Sequence, residues 1–176
     1  MNGLEKIPEG RFLLVGNHRS CYDPIVTLWA LRDYALAFIS KQENMKLPIV
    51  GRAIHKACFL PIDRDNDRAA LRTILTAADY LKRGVVSVGI YPEGRRTAGE
   101  GMQPFRNGAF KIAQKARTPI VILAVKATEF IKKRAPWRIT DVYLTVCGVM
   151  DTETVAERNT AEIGEEVIKC INSASF

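Results

Sequence analysis

Apolar residues gather in six short runs, at 12–15, 35–40, 58–62, 85–91, 120–126 and 142–149, rich in β-branched and aromatic side chains. Runs of this length, continuous rather than alternating, are the pattern of strands buried on both faces. Between them, helical spacing of apolar positions predicts helices over 69–81 and 110–116, and residues 24–29 open another. A final helix is predicted over 154–171, with Val155, Ile163, Val167, Ile168 and Ile171 on its apolar side. Strands alternating with helices predict an α/β fold with a largely parallel central sheet flanked by helices. No repeat, low-complexity tract or linker interrupts the pattern, so residues 1–176 read as a single domain.

Composition narrows this picture. At 176 residues and 47% hydrophobic content, the chain can bury one substantial core. A net charge of +7 favours an anionic partner, whether phosphorylated metabolite, nucleic acid or membrane surface. The four cysteines lack Cys-x-x-Cys spacing and the only histidines are His18 and His55, so there is no zinc pattern, and reduced thiols in a cytosolic setting are expected. No run approaches the roughly 20 apolar residues that cross a bilayer, and no leader resembles a signal peptide. The first strand run begins almost at once, which leads to the expectation of an upstream segment that this chain lacks.

In a parallel sheet, ligands collect in the crevice at the carboxyl ends of the strands. Three polar turns have that address: Asn17-His18-Arg19-Ser20-Cys21-Tyr22-Asp23, Asp63-Arg64-Asp65-Asn66, and Pro92-Glu93-Gly94-Arg95-Arg96-Thr97. Residues five apart on a helix are rotated by roughly 140°, so His18 and Asp23 cannot meet from mid-helix. They can meet if His18 stays in the turn and Asp23 begins the helix at Pro24. The carboxylate would then hold one ring nitrogen while the other faces substrate. Asp before Pro is also an ordinary helix start, with Asp23 as N-cap and Pro24 at the first helical position, and the two roles are compatible.

The other two turns carry cations suited to phosphate. Arg64, Arg95 and Arg96 form a credible anion clamp, because the guanidinium fork donates two parallel hydrogen bonds and stays charged; solvated loop arginines are the alternative. Asp63 and Asp65 either pair with Arg64 or cap the next helix. Gly94 permits a tight turn. Glu93 has two readings: it orients a substrate hydroxyl, or it pins Arg96 in an ion pair. Cys21 packs rather than attacks, and His55 is structural or exposed. Residues 99–105 are either a flap beside the third turn or an inert connection. Residues 130–138 mix cations with large apolar groups, as an interfacial segment on anionic lipid or as a solvated loop.

Taken together, Asn17-His18 with Asp23, Ile62-Asp63-Arg64, and Pro92-Glu93-Gly94-Arg95-Arg96-Thr97 resemble three ordered blocks of the glycerolipid acyltransferase family, best known from 1-acyl-sn-glycerol-3-phosphate (lysophosphatidic acid) acyltransferases. Agreement extends over residues 3–8 and to Ser40, Lys41, Pro48 and Gly51, and the likeness runs from residue 3 to residue 125. The resemblance implies a glycerol-3-phosphate acyltransferase-like fold. It also implies transfer of an acyl group from acyl-CoA or acyl carrier protein to the free hydroxyl of lysophosphatidic acid, forming phosphatidic acid. By the same resemblance His18 is the general base and Asp23 fixes its tautomer, with no covalent intermediate, metal or cofactor. Arg64, Arg96 and Lys41 would bind the acceptor's phosphate, and Glu93, Gly94 and Arg95 would shape the acceptor pocket.

This chain departs from the family pattern at Arg95, where Thr is usual, which bears on head-group choice, and at Tyr91, where Phe is commoner. It has Ile122 where the fourth block, 118–122, usually has a second proline. The family normally carries an apolar, membrane-anchoring segment upstream, which this chain is expected to lack. The implied setting is peripheral, at the cytoplasmic face of the membrane, on an anionic surface and without nucleic acid. The rival acceptors are glycerol 3-phosphate or another lysolipid, and the rival class is a non-catalytic module that binds anionic lipid.

Overall fold

The computed structural model describes residues 1–97 and 101–176. Six strands, β1 (Leu13–Gly16), β2 (Leu36–Lys41), β3 (Leu60–Ile62), β4 (Ser87–Ile90), β5 (Ile120–Lys126) and β6 (Tyr143–Met150), form one sheet in the order β3-β2-β4-β1-β5-β6. All neighbours run parallel except β5 and β6. The connecting helices are α1 (Asp23–Ala30), α2 (Val50–Lys56), α3 (Asp67–Lys82), α4 (Lys111–Ala116), α5 (Ile131–Arg134), α6 (Thr152–Glu157) and α7 (Thr160–Asn172). The sheet is therefore mostly parallel and flanked by helices, as the apolar runs predict.

Strand alternation divides the core between the two faces of the sheet. Leu13, Val15, Ile120, Ile122 and Ala124 pack with residues of α3, α4, α6 and α7. Phe12, Leu14, Val121, Leu123 and Val125 pack with Leu31 and with partly buried residues of α1 and α2 such as Val26 and Ile54. Each fully buried large apolar side chain contributes roughly 1.5–3 kcal/mol relative to exposure. Both outer edges are protected against further pairing. β3 is only three residues long and contains Pro61, while Asn2 bridges Thr145 beside β6.

Three local differences from the sequence reading have clear causes. The helix expected over 154–171 is two helices, because Asn159 accepts hydrogen bonds from the Ala161 and Glu162 amides and Glu162 reaches back to the Asn159 amide. That capping box starts α7 afresh. The strand expected from residue 58 begins at Leu60, since Cys58 takes a left-handed backbone, φ 58°, as the chain leaves α2. α2 itself is short, and its start depends on close contact: a Cβ on Gly51 would lie 2.2 Å from the Met45 carbonyl oxygen.

The topology places the carboxyl ends of β1 to β5 along one edge. From β3 to β1 is three strand spacings, roughly 14 Å, so the turns carrying Arg64 and His18 leave the same edge of the sheet. Gly89, on the strand between them in space, is pressed against Phe38: an added Cβ would come within 2.4 Å of the buried ring. Gly89→Ala is expected to destabilise the fold by about 1–3 kcal/mol through overpacking, measured as a lowered urea midpoint with unchanged m-value.

Candidate active site

β1 ends where Asn17 replaces a further strand residue. Its side-chain amide donates to the Val125 carbonyl at 2.9 Å and accepts from the Val125 amide at 2.8 Å, extending the β1–β5 ladder by side chain. The backbone is thereby released into the turn at His18. Helix α1 begins at Asp23 itself, with Tyr22 at the cap position, which corrects the expectation that Asp23 is the N-cap. Its carboxylate turns back instead. Oδ2 accepts from His18 Nδ1 at 2.8 Å, the Arg19 amide at 2.7 Å and the Ser20 amide at 2.8 Å, while Oδ1 accepts from Thr128 Oγ1 at 2.5 Å.

With every contact a donor to Asp23, Nδ1 carries the proton and Nε2 presents its lone pair. Among the described residues Nε2 has no hydrogen-bond partner. Asp23 is 0% exposed and His18 retains 15% side-chain accessibility, so the orienting carboxylate is dry and the imidazole is reachable. The ring lies flat on Tyr91, with centroids 4.7 Å apart and planes 10° apart, and Tyr91 in turn stacks on Phe38 at 5.3 Å and 7°. Burial, then the Asp23 charge, raise the Tyr91 phenol well above its ordinary pKa despite a hydrogen bond with Thr27. The phenol stays neutral and serves as a floor.

Glu93 holds the His18 backbone from the other side. It is 4% exposed. Oε1 accepts from the His18 amide at 2.6 Å, and Oε2 accepts from the Gln103 amide at 2.9 Å and from the Thr97 hydroxyl. The Thr97 amide closes the loop onto the His18 carbonyl at 2.9 Å. Among the described residues no ion pair joins Glu93 to Arg96, because its oxygens are committed to these donors. With these donors Glu93 braces the turn from within.

Arg64 reaches from the end of β3 and donates to the Gly94 carbonyl, so the second and third turns touch. Gly94 has φ 68°, which suits glycine, and an added Cβ would press on Arg106 Nε at 3.1 Å. Burial and then the neighbouring Arg106 lower the Arg64 pKa, although a guanidinium remains charged. Lys41 and Arg64 line one cleft of about 190 Å³, with Asp63 and Asp65 on its wall and Lys41 held 2.8 Å from Glu43. Asp63 accepts from the Asp65 amide, and the cap of α3 is Asn66 rather than either aspartate. Arg95 and Arg96 stand exposed on the third turn with no hydrogen-bond or ion-pair partner among the described residues.

Cys21 is exposed, all four cysteines are free, and His55 is exposed on α2. Among the described residues no cluster of three or more His, Cys, Asp or Glu could hold a metal ion. Of the flap expected over 99–105, Gly99 and Glu100 lie outside the described residues; Gln103 contributes the amide that Glu93 accepts.

Sequence reasoning did not find Thr128, which lies 105 residues beyond Asp23 and carries no motif. Nor did it find the neighbouring Arg19–Glu129 pair at 2.5 Å. Burial pulls the Glu129 pKa upward, but the Arg19 hydrogen bond and charge outweigh it and leave the carboxyl below its ordinary 4.5. That pair therefore contributes above the unfolded value and loses its contribution as pH falls through the lowered one. Thr128→Val leaves a buried carboxylate oxygen without its donor and is expected to cost about 1–3 kcal/mol, while Thr128→Ser restores most of it. Urea unfolding of the two variants measures the difference.

Residues 1–126 match the family model described as acyltransferase. A Salmonella typhimurium protein named 1-acyl-sn-glycerol-3-phosphate acyltransferase is 31% identical over 119 residues, which is 68% of this chain and 48% of that protein. A Haemophilus influenzae protein of the same name is 25% identical over 177 aligned positions, covering 90% of this chain and 72% of its own length. The crystal structure of the 1-acyl-sn-glycerophosphate (LPA) acyltransferase PlsC from Thermotoga maritima shares the fold, with a TM-score of 0.74 at 24% identity over 99% of this chain and 72% of that one. The chain thus spans about half the length of the Salmonella relative. The family match takes in the first five strands and all three polar turns, and on that ground the chain belongs to the acyltransferase family.

Proposed function

We propose that this chain catalyses transfer of a fatty acyl group from a thioester, acyl-CoA or acyl carrier protein, to the free hydroxyl of lysophosphatidic acid, giving phosphatidic acid. One observation carries the reading: an accessible imidazole whose Nδ1 is fixed on a buried carboxylate, leaving Nε2 to act as the base, at the sheet edge where Arg64 meets the third turn at Gly94. The names of the Salmonella and Haemophilus relatives support the choice of acceptor.

In this mechanism Nε2 of His18 takes the hydroxyl proton as the alcohol oxygen attacks the thioester carbonyl carbon. Asp23 stabilises the imidazolium while remaining an acceptor. Collapse of the tetrahedral intermediate breaks the C–S bond, and the departing thiolate takes the proton back from His18. No covalent acyl-enzyme is required, nor any cofactor beyond the acyl donor itself. Arg64, Arg96 and Lys41 bind the acceptor's phosphate, Gly94 keeps the turn low beneath it, and Arg95 adds a cation beside the head group. Glu93 acts through the backbone, holding His18 where the reaction needs it.

Among the described residues no helix is long and apolar enough to cross a membrane. We place the chain peripherally, at the cytoplasmic membrane face where its acceptor resides.

A panel of acyl-CoA and acyl carrier protein donors against lysophosphatidic acid, glycerol 3-phosphate and neutral lysolipids, read by mass spectrometry, tests the reaction. His18→Ala is expected to lower transfer by roughly 10² to 10⁴. Most activity surviving that change would exclude His18 as the base. Arg64→Ala is expected to raise KM for phosphate-bearing acceptors roughly ten- to hundredfold with a smaller effect on kcat. Salt-sensitive lipid binding without any acyl product would favour the non-catalytic module.

A further inference from the structure

The connection from β5 to β6 touches the catalytic dyad at one end and further along carries exposed apolar side chains. Thr128 is fully buried, with its hydroxyl on Asp23, and Glu129 holds Arg19. Within the next ten residues, 130–139, stand four cations, Lys132, Lys133, Arg134 and Arg138, and no acid. Trp137 is 90% exposed and Ile139 is 92% exposed. Lys133 and Arg134 lie over the half-exposed Phe130 ring, at 5.8 and 5.3 Å from its centroid.

From this arrangement we infer that residues 130–139 form a lipid-docking tip that seats the site on an anionic bilayer, with Trp137 and Ile139 entering the headgroup boundary and the four cations at phosphate level. Charge complementarity selects this occupant. An anionic bilayer accepts indole, aliphatic and cationic groups within one short segment. The core of a protein interface is depleted in lysine, and nucleic acid offers nothing to an exposed isoleucine. The inference deepens the proposed function, on which it rests. Because the tip continues directly from Thr128, bilayer contact would fix the height of the imidazole above the lipid surface.

The chain has only two tryptophans, so Trp29→Phe leaves Trp137 as the sole indole reporter. With vesicles of phosphatidylglycerol and phosphatidylcholine, its emission is expected to shift to the blue, and the shift to diminish with added salt. Lys132→Ala with Lys133→Ala is expected to weaken vesicle binding roughly thirtyfold, about fivefold for each cation removed. Three results would overturn the inference: an unshifted Trp137 signal while the protein cosediments with vesicles, equal binding to pure phosphatidylcholine, or a response confined to Trp29 in the Trp137→Phe chain. Self-association abolished by Trp137→Phe, seen in sedimentation velocity without vesicles, would also overturn it in favour of a second copy as occupant. Activity on a short-chain acceptor below its micelle threshold separates the two readings. Vesicle binding without that activity supports docking and removes only acyl transfer, whereas activity with no vesicle binding sinks docking alone.

Discussion

The Asp23 carboxylate organises this molecule's crevice, and its burial dictates much of what surrounds it. A carboxylate with no solvent contact is strongly disfavoured unless donors occupy its lone pairs. Four donors do so, from the His18 ring, the Arg19 and Ser20 amides and the Thr128 hydroxyl. They arrive from two separate connections, after β1 and after β5, while Asp23 itself opens α1. None can move alone without exposing the carboxylate to an unpaired state, so the turn geometry and the imidazole orientation are one constraint.

Glu93 supplies the complementary constraint. Asp23 grips the His18 side chain, Glu93 grips its amide, and the Thr97 amide grips its carbonyl. A histidine in a loop is ordinarily free to reorient, and here three attachments hold it. Arg64 extends the same logic to the neighbouring wall by donating to the Gly94 carbonyl. One of its donors is thus used internally. Arg106 and Arg95 both oppose its charge, which makes the cluster more favourable once an anion lies among them.

The sheet was legible because largely buried strands leave continuous apolar runs, and each of the six runs overlaps one of the six strands. The geometry of the candidate site was legible only where contacts are local: His18 and Asp23 are five residues apart, and that spacing excludes a mid-helix meeting. Thr128 was hidden because the sequence carries no trace of which threonine the fold delivers to a carboxylate 105 residues away. Glu93 was ambiguous for a different reason. From sequence it reads equally as orienting a substrate hydroxyl or as pairing with Arg96, and only the fold shows the buried carboxylate taken up by backbone amides and the Thr97 hydroxyl. The break at Asn159 could have been read, since Asn followed three residues later by Glu162 is a capping-box pattern, but uninterrupted apolar spacing masked it.

Tyr91 shows how a departure from the family pattern is absorbed. Phenylalanine would supply the same flat surface to the imidazole, whereas tyrosine brings a buried hydroxyl that requires a partner. Thr27, fully buried on α1, lies 3.4 Å from it. The helix that carries Asp23 therefore also engages the ring beneath His18, while Phe38 supports that ring from its opposite face. A tyrosine held neutral by burial adds no charge to compete with His18 for a proton. The hydroxyl thus turns a passive stacking surface into a tie between the turn that follows β4 and α1, so the floor and the orienting carboxylate keep their registry with one imidazole.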